Sequence, residues 1–299
     1  MSALINVALA GATGNLGPTI LEQLLTAGFR VTVLTRQSSA HEFPASVTVK
    51  LVDYDSVESL TTALQDQDAV VSTLGLGALT QQFHLVEAAI KANVKRFIPS
   101  EFGPDTTNPK AAALAISADK VAIQKLLAKE AARGSISYTC IFTGPFFDWC
   151  LKAGFILSAE ERSIPLYDGG ERRFSTTMLG SVGRAVVGVL RNHEETRDRG
   201  VYVQDAAPTL RQLKAMAEKI TGTAWRGVEV SVKNDMLAPA LAELEKENPD
   251  PSVFTFPLAV ASIWGEGYGS HFASLDNGLL GLGELTDAEI EAVVAAAVN

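Results

Sequence analysis

The chain has 299 residues, of which 47% are hydrophobic and 20% are charged, so it can bury a large core and is not a disordered protein. Its formal net charge is −9 and its basic residues are scattered, which excludes a nucleic-acid surface built on clustered Lys and Arg. The apolar runs break before the ~20 residues that a membrane span needs, and the first residues do not resemble a signal peptide. A disulfide between the two cysteines is possible but unnecessary in a reducing cytosol. We therefore expect a cytoplasmic globular protein without a nucleic-acid or membrane partner.

Short β-rich runs alternate with helical runs along the first half of the chain. Strands are predicted at Asn6–Ala10, Arg30–Thr35, Val47–Val52, Ala69–Leu74, Arg96–Pro99 and Ser137–Phe142. Helices are predicted at Pro18–Ala27, Val57–Leu64, Thr80–Ala92 and Ala111–Ala132. Alternation at this pitch gives right-handed βαβ units, so the sequence predicts an α/β fold with a Rossmann-type doubly wound parallel sheet.

The pattern changes after about residue 147. Helices are predicted at Gly180–Leu190, Leu210–Ile220 and Asp287–Ala297, the last with a capping box of Thr286 and Glu289, and a strand is predicted at Gly200–Gln204. We expect residues 1–150 to form the nucleotide-binding domain, with 180–204 returning to its sheet. Residues 151–299 are then expected to form mainly a smaller, C-terminal substrate-binding lobe.

A glycine-rich turn follows the first strand directly. It reads Gly11-Ala12-Thr13-Gly14-Asn15-Leu16-Gly17, with Pro18 at the favoured first position of the next helix. The three glycines suit a tight turn, a close approach of backbone to a pyrophosphate, and close packing of helix on strand. The alternative is a turn that binds no ligand. The position of the glycine-rich segment between the first strand and the first helix favours dinucleotide binding.

The end of the second strand indicates which dinucleotide is bound. NAD-binding proteins carry an acidic residue there, whereas this chain has Arg36, followed by Ser38 and Ser39 as hydroxyl donors. A guanidinium suits a 2′-phosphate, so NADPH is preferred over NADH, although a solvated arginine is the alternative. Thr73-Leu74-Gly75 follows the fourth strand, where the chain would pass the ribose and nicotinamide, or else makes a plain turn.

Lys120 falls on the apolar stripe of the predicted helix Ala111–Ala132. Its companions on the stripe are Ile116, Ile123, Leu127 and Ala131, whereas Lys125 and Lys129 face away. A buried ammonium is costly, so this lysine either extends its amine to water or has a lowered pKa that suits acid–base catalysis. Periodicity alone leaves the two alternatives equal.

Other catalytic patterns are missing from the sequence, and this favours the catalytic alternative. No Tyr has a Lys four residues later, as in common short-chain reductases, and no Gly-x-Ser-x-Gly elbow suggests a hydrolase. The four histidines show no ligand-like spacing, so we expect no metal site.

The chain resembles the isoflavone reductase-like (NmrA-like) branch of the atypical short-chain dehydrogenases. The matching residues are Gly11–Gly17, Arg36 and, most specifically, Lys95–Gly103, which reads KRFIPSEFG. The resemblance implies an NADPH-dependent reductase of phenolic or other aromatic compounds, with Lys120 as general acid/base and Arg36 at the 2′-phosphate. The plant pattern has a second phosphate-binding lysine that residues 38–46 lack, which leaves the strictness of the preference for NADPH open.

We therefore expect hydride transfer from NADPH to an aromatic or conjugated small molecule. A homodimer is compatible with the sequence. Planar apolar side chains are expected to line the pocket at Phe146, Phe147 and Trp149, and Trp264, Tyr268 and His271 to close over the substrate, with core packing as the alternative for each phenylalanine. Two other functions remain open: a dinucleotide-sensing regulator without catalysis, and an isomerase or lyase that uses the cofactor structurally.

Overall fold

The computed structural model describes residues 4–36 and 41–298 of the chain. Its strands are β1 (Asn6–Ala10), β2 (Arg30–Arg36), β3 (Thr48–Val52), β4 (Ala69–Ser72), β5 (Arg96–Ile98), β6 (Ser137–Phe142), β7 (Ser163–Tyr167), β8 (Arg199–Tyr202) and β9 (Arg226–Val230). Its α-helices are α1 (Gly17–Thr26), α2 (Val57–Ala63), α3 (Gln81–Lys91), α4 (Pro109–Ala112), α5 (Ala118–Ala132), α6 (Phe147–Lys152), α7 (Leu179–Arg191), α8 (Leu210–Thr221), α9 (Ala238–Leu244), α10 (Pro251–Trp264), α11 (Asn277–Leu280) and α12 (Asp287–Val298).

Seven strands form one parallel sheet in the order β3-β2-β1-β4-β5-β6-β8. This is the Rossmann-type arrangement that the sequence predicts. The strand order reverses beside β1, where β2 lies on one side and β4 on the other. In open parallel sheets, ligands bind in the crevice beyond the carboxyl ends of the strands at such a point.

Helices cover both faces of the sheet, and the alternation of side chains in β1 shows why. Val7 and Leu9 point into one core, which they share with α1 and α7. Ala8 and Ala10 point into the opposite core, which contains residues of α2, α3 and α5. Because both faces are buried, β1 is apolar and buried from Val7 to Ala10.

The predicted helix Ala111–Ala132 is broken in the structure. A short α4 is followed by Leu114 in an extended conformation (φ −70°, ψ 137°), then by a 3-10 turn at Ala115–Ser117, and α5 starts only at Ala118. Leu114 packs into a small core with Ala240 and Leu258, so tertiary packing overrides the helical periodicity. Ile116 therefore lies outside the helix that carries Lys120.

The strand predicted at Gly200–Gln204 is β8, which pairs with β6 in the main sheet. Most of the remaining second half surrounds a second core that includes residues of α6, α8, α10 and α12. The parallel pair β7–β9 and the helix α10 were not predicted. In the described parts of the chain, no helix combines the length and apolarity needed to cross a membrane.

Candidate cofactor-binding and active site

The turn between β1 and α1 is closed by contacts that only glycine permits. Gly11 has φ +85°, and a Cβ there would lie 2.7 Å from the carbonyl oxygen of Thr73. A Cβ on Gly17 would lie 2.2 Å from the carbonyl oxygen of Gly11. Gly14 is exposed, with its nearest such contact at 3.5 Å. Two of the glycines thus shape the turn itself, while Gly14 leaves its outer surface open.

The amino end of α1 meets the requirement for an anion site. The helix starts at Gly17, and no side chain caps its first turn. Thr13, Gly14 and Asn15 are exposed in front of it, whereas Leu16 is buried beneath. Main-chain N–H groups at an uncapped helix start need acceptors, which pyrophosphate oxygens can supply. The turn therefore fits the phosphates of a dinucleotide.

Thr73 connects β4 to this turn. Its hydroxyl lies 2.9 Å from the carbonyl oxygens of both Ala10 and Gly11, and its N–H donates to Ala10. The next two residues, Leu74 and Gly75, lie on the wall of the adjacent cavity. The segment after the fourth strand thus supports the turn and continues towards the place where a nicotinamide would lie.

Arg36 is the last residue of β2 and is exposed. Its positive charge reaches the buried Tyr54, whose hydroxyl donates to the carbonyl of Leu34. The guanidinium therefore lies at the end of the strand next to β1, where an adenosine ribose would carry its 2′-phosphate. Ser38 and Ser39, predicted as further donors, lie outside the described residues.

A cavity of about 550 Å³ lies beside the glycine turn, at the carboxyl end of the sheet. Gly14, Asn15 and Leu16 form part of its wall. Apolar side chains supply most of the rest: Leu76, Leu79, Phe102, Ile116, Phe146, Trp149, Phe155 and Ile263. The shape and lining suit a small apolar ligand next to the dinucleotide.

Lys120 lies on the wall of the same cavity. Its Nζ donates to the main-chain carbonyl of Glu101 at 2.5 Å. The neighbours of Lys120 on α5, Ile123 and Leu127, are fully buried. Burial lowers the pKa of the Lys120 ammonium, while the negative charge of Glu101 raises it. The amine is therefore directed inward, towards the cavity that the glycine turn borders.

The two phenylalanines expected in the pocket have different positions. Phe146 lines the cavity, as does Trp149. Phe147 does not, because α6 begins at this residue and directs its ring into the second core, where it is fully buried. The placement of Phe147 in the substrate pocket is therefore corrected.

The three residues expected to close over the substrate do not border the cavity. Trp264 is fully buried at the end of α10 and packs its ring against Tyr167 and Phe174. The amine of Lys110 lies over the ring of Tyr268, with Nζ 5.9 Å from the ring centroid. His271 is exposed on the following loop. Core packing explains the position of Trp264, and a contact with Lys110 explains that of Tyr268.

Other residues of the cavity were missed in the sequence. Glu101 and Thr106 line it together with Phe155, which comes from the second half of the chain. Glu101 belongs to the KRFIPSEFG segment, so the signal was present but indicated only a family. Phe155 had no local signal, because the fold alone brings it to this surface.

Comparison with known proteins places this site in a family. The profile of the NmrA-like family matches residues 5–245. Oxidoreductase aprR of Aspergillus flavus is 35% identical over 250 residues, which cover 81% of this chain and 82% of the relative. Phenylcoumaran benzylic ether reductase TP7 of Nicotiana tabacum is 29% identical over 239 residues, which cover 74% of this chain and 76% of the relative.

Solved structures share the fold. The leucoanthocyanidin reductase of Vitis vinifera, in a binary complex with NADPH, aligns with a TM-score of 0.74 and 19% identity, covering 98% of this chain and 99% of that one. The relatives' names confirm the class of enzyme expected from the sequence, an oxidoreductase. The chain therefore belongs to the NmrA-like family, in agreement with the resemblance seen in its motifs.

Proposed function

We propose that the chain is an NADPH-dependent reductase of a small aromatic or conjugated molecule, with Lys120 as the general acid/base. One observation carries the proposal: the glycine turn and Lys120 border a single cavity. The substrate would occupy this cavity next to the nicotinamide. The proposal thus assigns binding and proton transfer to adjacent surfaces of one site.

The uncapped start of α1 and the open surface at Gly14 would hold the pyrophosphate. Arg36 would meet the 2′-phosphate with a charge-assisted contact, which supports NADPH over NADH. NADPH, when bound, supplies the hydride. The leucoanthocyanidin reductase with the same fold binds NADPH, which further supports this cofactor.

Lys120 would hold the proton that accompanies reduction. In its ammonium form Nζ can donate a proton to the substrate, and in its neutral form it can accept one. Because burial lowers the pKa of Lys120, the neutral form is reached at a lower pH than for an exposed lysine. The bond to the Glu101 carbonyl would hold Nζ at the cavity wall.

The cavity wall supports a planar, largely apolar substrate. Phe146, Trp149 and Phe155 present aromatic surface there. Ala259, Ser262 and Ile263 of α10 complete the wall, so residues 151–299 contribute to the site as the expected substrate lobe would. A relative named as a benzylic ether reductase supports an aromatic substrate.

The test is to mix the protein with NADPH and a panel of phenolic enones, quinones and benzylic ethers, while absorbance is followed at the nicotinamide band. The expected result is NADPH oxidation in proportion to reduced product. Binding of NADPH without oxidation across the panel would support a regulator that senses the dinucleotide. Product formed without net consumption of NADPH would support an isomerase or lyase.

A further inference from the structure

Glu101 is a buried carboxyl group at the wall of the cavity. It is 2% exposed and lies on the loop after β5. Its Oε2 accepts a hydrogen bond of 2.8 Å from the hydroxyl of Thr106. Its Oε1 is buried without a hydrogen-bond partner among the described residues. A buried carboxylate that is only half satisfied is costly, which makes Glu101 a candidate for a functional role.

A chain of hydrogen bonds fixes the orientation of this carboxyl group. Gln124 Nε2 donates to the Thr106 hydroxyl at 2.6 Å, and that hydroxyl in turn donates to Glu101. Because a hydroxyl has one hydrogen, the bond from Gln124 occupies a lone pair and leaves the Thr106 hydrogen for the carboxylate. The carboxylate is therefore held as an acceptor.

Both ends of this series of hydrogen bonds are connected to α5. Gln124 follows Lys120 by four residues, so the two side chains lie on the same face of the helix. Lys120 Nζ donates to the main-chain carbonyl of Glu101, while Gln124 reaches the side chain of Glu101 through Thr106. Glu101 is thus held by the helix that carries the proposed catalytic amine, through its main chain and its side chain.

Few other ionisable groups face this amine. Among the described residues that line the cavity, the only others are Glu101 and the thiol of Cys150 on α6, whose pKa burial raises to about 12. Cys140 on β6 lies near Glu101, and burial raises the pKa of its thiol further above the ordinary range, so it also stays neutral. Asp119, the preceding residue on α5, is partly buried. The Glu101 carboxylate is the charge that acts on the pKa of Lys120.

We infer that Glu101 is a positioning residue for Lys120: its carbonyl fixes Nζ at the cavity wall, and its oriented carboxylate favours the ammonium form. The inference rests on the proposed role of Lys120 in proton transfer. No covalent step is involved, and Glu101 acts through Lys120. Its effect is on where Lys120 lies and on the pH at which Lys120 changes its charge.

The test compares Glu101→Gln with the unsubstituted protein in the pH dependence of NADPH oxidation at saturating substrate. Glutamine retains an acceptor for Thr106 but removes the charge. The limb of the pH profile that depends on Lys120 is expected to move to lower pH by about 1 unit. The direction is the same whether Lys120 gives or takes the proton, because either limb follows the pKa of Lys120.

Two further variants complete this test. Thr106→Val removes the hydrogen bond to Oε2 and is expected to shift the limb in the same direction by less, which keeps the test usable if Glu101→Gln does not fold. Asp105→Asn removes a neighbouring carboxylate that instead accepts from Thr107, and should leave the limb in place. An unchanged limb in folded Glu101→Gln, with wild-type thermal unfolding, overturns the inference.

A second readout does not require turnover. The rate of acylation of Lys120 by an amine-specific reagent, measured by peptide mass spectrometry against pH, follows the neutral amine. In Glu101→Gln this rate should rise at a lower pH than in the unsubstituted protein, and coincident curves would refute the inference. If Lys120→Ala retains turnover, the proposed role of Lys120 in proton transfer fails, while the acylation curves of Glu101→Gln and the unsubstituted protein still decide whether Glu101 controls the charge of Lys120.

Discussion

The hydroxyl of Thr73 lies 2.9 Å from the carbonyl oxygen of Gly11, so that the residue directly after β4 holds the turn that follows β1. The same hydroxyl lies 2.9 Å from the carbonyl oxygen of Ala10. The two strands are neighbours and lie on either side of the point where the strand order reverses. The conformation of the proposed phosphate-binding turn is therefore set by a side chain more than 60 residues away in sequence.

Replacement of this hydroxyl should weaken cofactor binding. Thr73→Val preserves the shape of the side chain but loses a hydrogen bond worth about 1 kcal/mol. We expect the dissociation constant of NADPH, measured by fluorescence titration, to rise by roughly fivefold. Thr61→Val is the matched control, since the Thr61 hydroxyl also donates to a main-chain carbonyl, at Val57, but on α2. Equal effects of the two variants on NADPH binding would contradict the prediction.

Arg36 should determine the choice between the two dinucleotides. Arg36→Ala removes a charge-assisted contact worth about 1.5–3 kcal/mol, so the dissociation constant of NADPH is expected to rise by about 10- to 100-fold. The affinity for NADH, which has no 2′-phosphate, should not fall. Arg30→Ala, at the opposite end of the same strand, is the control and should leave both affinities unchanged. Parallel losses for NADPH and NADH would show that Arg36 does not read the phosphate.

The adjacent residues Phe146 and Phe147 should respond differently to substitution. Phe146 lines the cavity, so Phe146→Ala is expected to raise KM for an aromatic substrate with little change in NADPH affinity. Phe147 is fully buried, so Phe147→Ala is expected to lower the free energy of unfolding by about 3–5 kcal/mol. Steady-state kinetics and chemical denaturation separate the two effects. A KM unchanged in Phe146→Ala would remove this ring from the substrate surface.

Asp68 should make stability depend on pH in the acid range. Burial alone would raise the pKa of Asp68, but hydrogen bonds from the N–H groups of Asn6 and Ile5 and from Lys95 lower it overall. A lowered native pKa gives stability that is complete above the unfolded-state value and is lost as pH falls through the native value. Asp68→Asn should therefore lower the free energy of unfolding by about 1–2 kcal/mol at pH 7.

The difference between this variant and the unsubstituted protein should disappear towards the acid end of a pH series of thermal melts. Asp66→Asn changes an exposed carboxyl group in the preceding turn and is the control. A deficit in Asp68→Asn that persisted unchanged to the lowest pH would show that the charge of Asp68 is not involved.

Local patterns were sufficient to predict most strands of the first half of the fold. The strands β1 to β6 follow from apolar runs punctuated by glycine and polar turns, and the glycine turn follows from its place after β1. The break before α5 was missed because Ile116 keeps the helical spacing, although the packing of Leu114 extends the chain just before it. The pair β7–β9 joins segments about 60 residues apart, so no local signal could predict it.

The site was predictable where chemistry depends on a motif, and not where it depends on packing. Periodicity predicted that Lys120 shares a helix face with Ile123 and Leu127, but it left open whether the amine points to water or into the protein. Whether an aromatic side chain faces a core or a cavity, however, depends on its neighbours in space. Trp264 was for this reason expected at the substrate, although its ring lies against Tyr167 and Phe174.

The proposed role of Lys120 is tested most directly by Lys120→Ala, assayed for both turnover and NADPH affinity. We predict that the rate of NADPH oxidation with an accepted substrate falls by about 100-fold or more, while the dissociation constant of NADPH is unchanged. Lys125→Ala, which alters an exposed lysine on the same helix, should retain full turnover. Turnover at the unsubstituted rate in Lys120→Ala would contradict the assignment of Lys120 as the general acid/base.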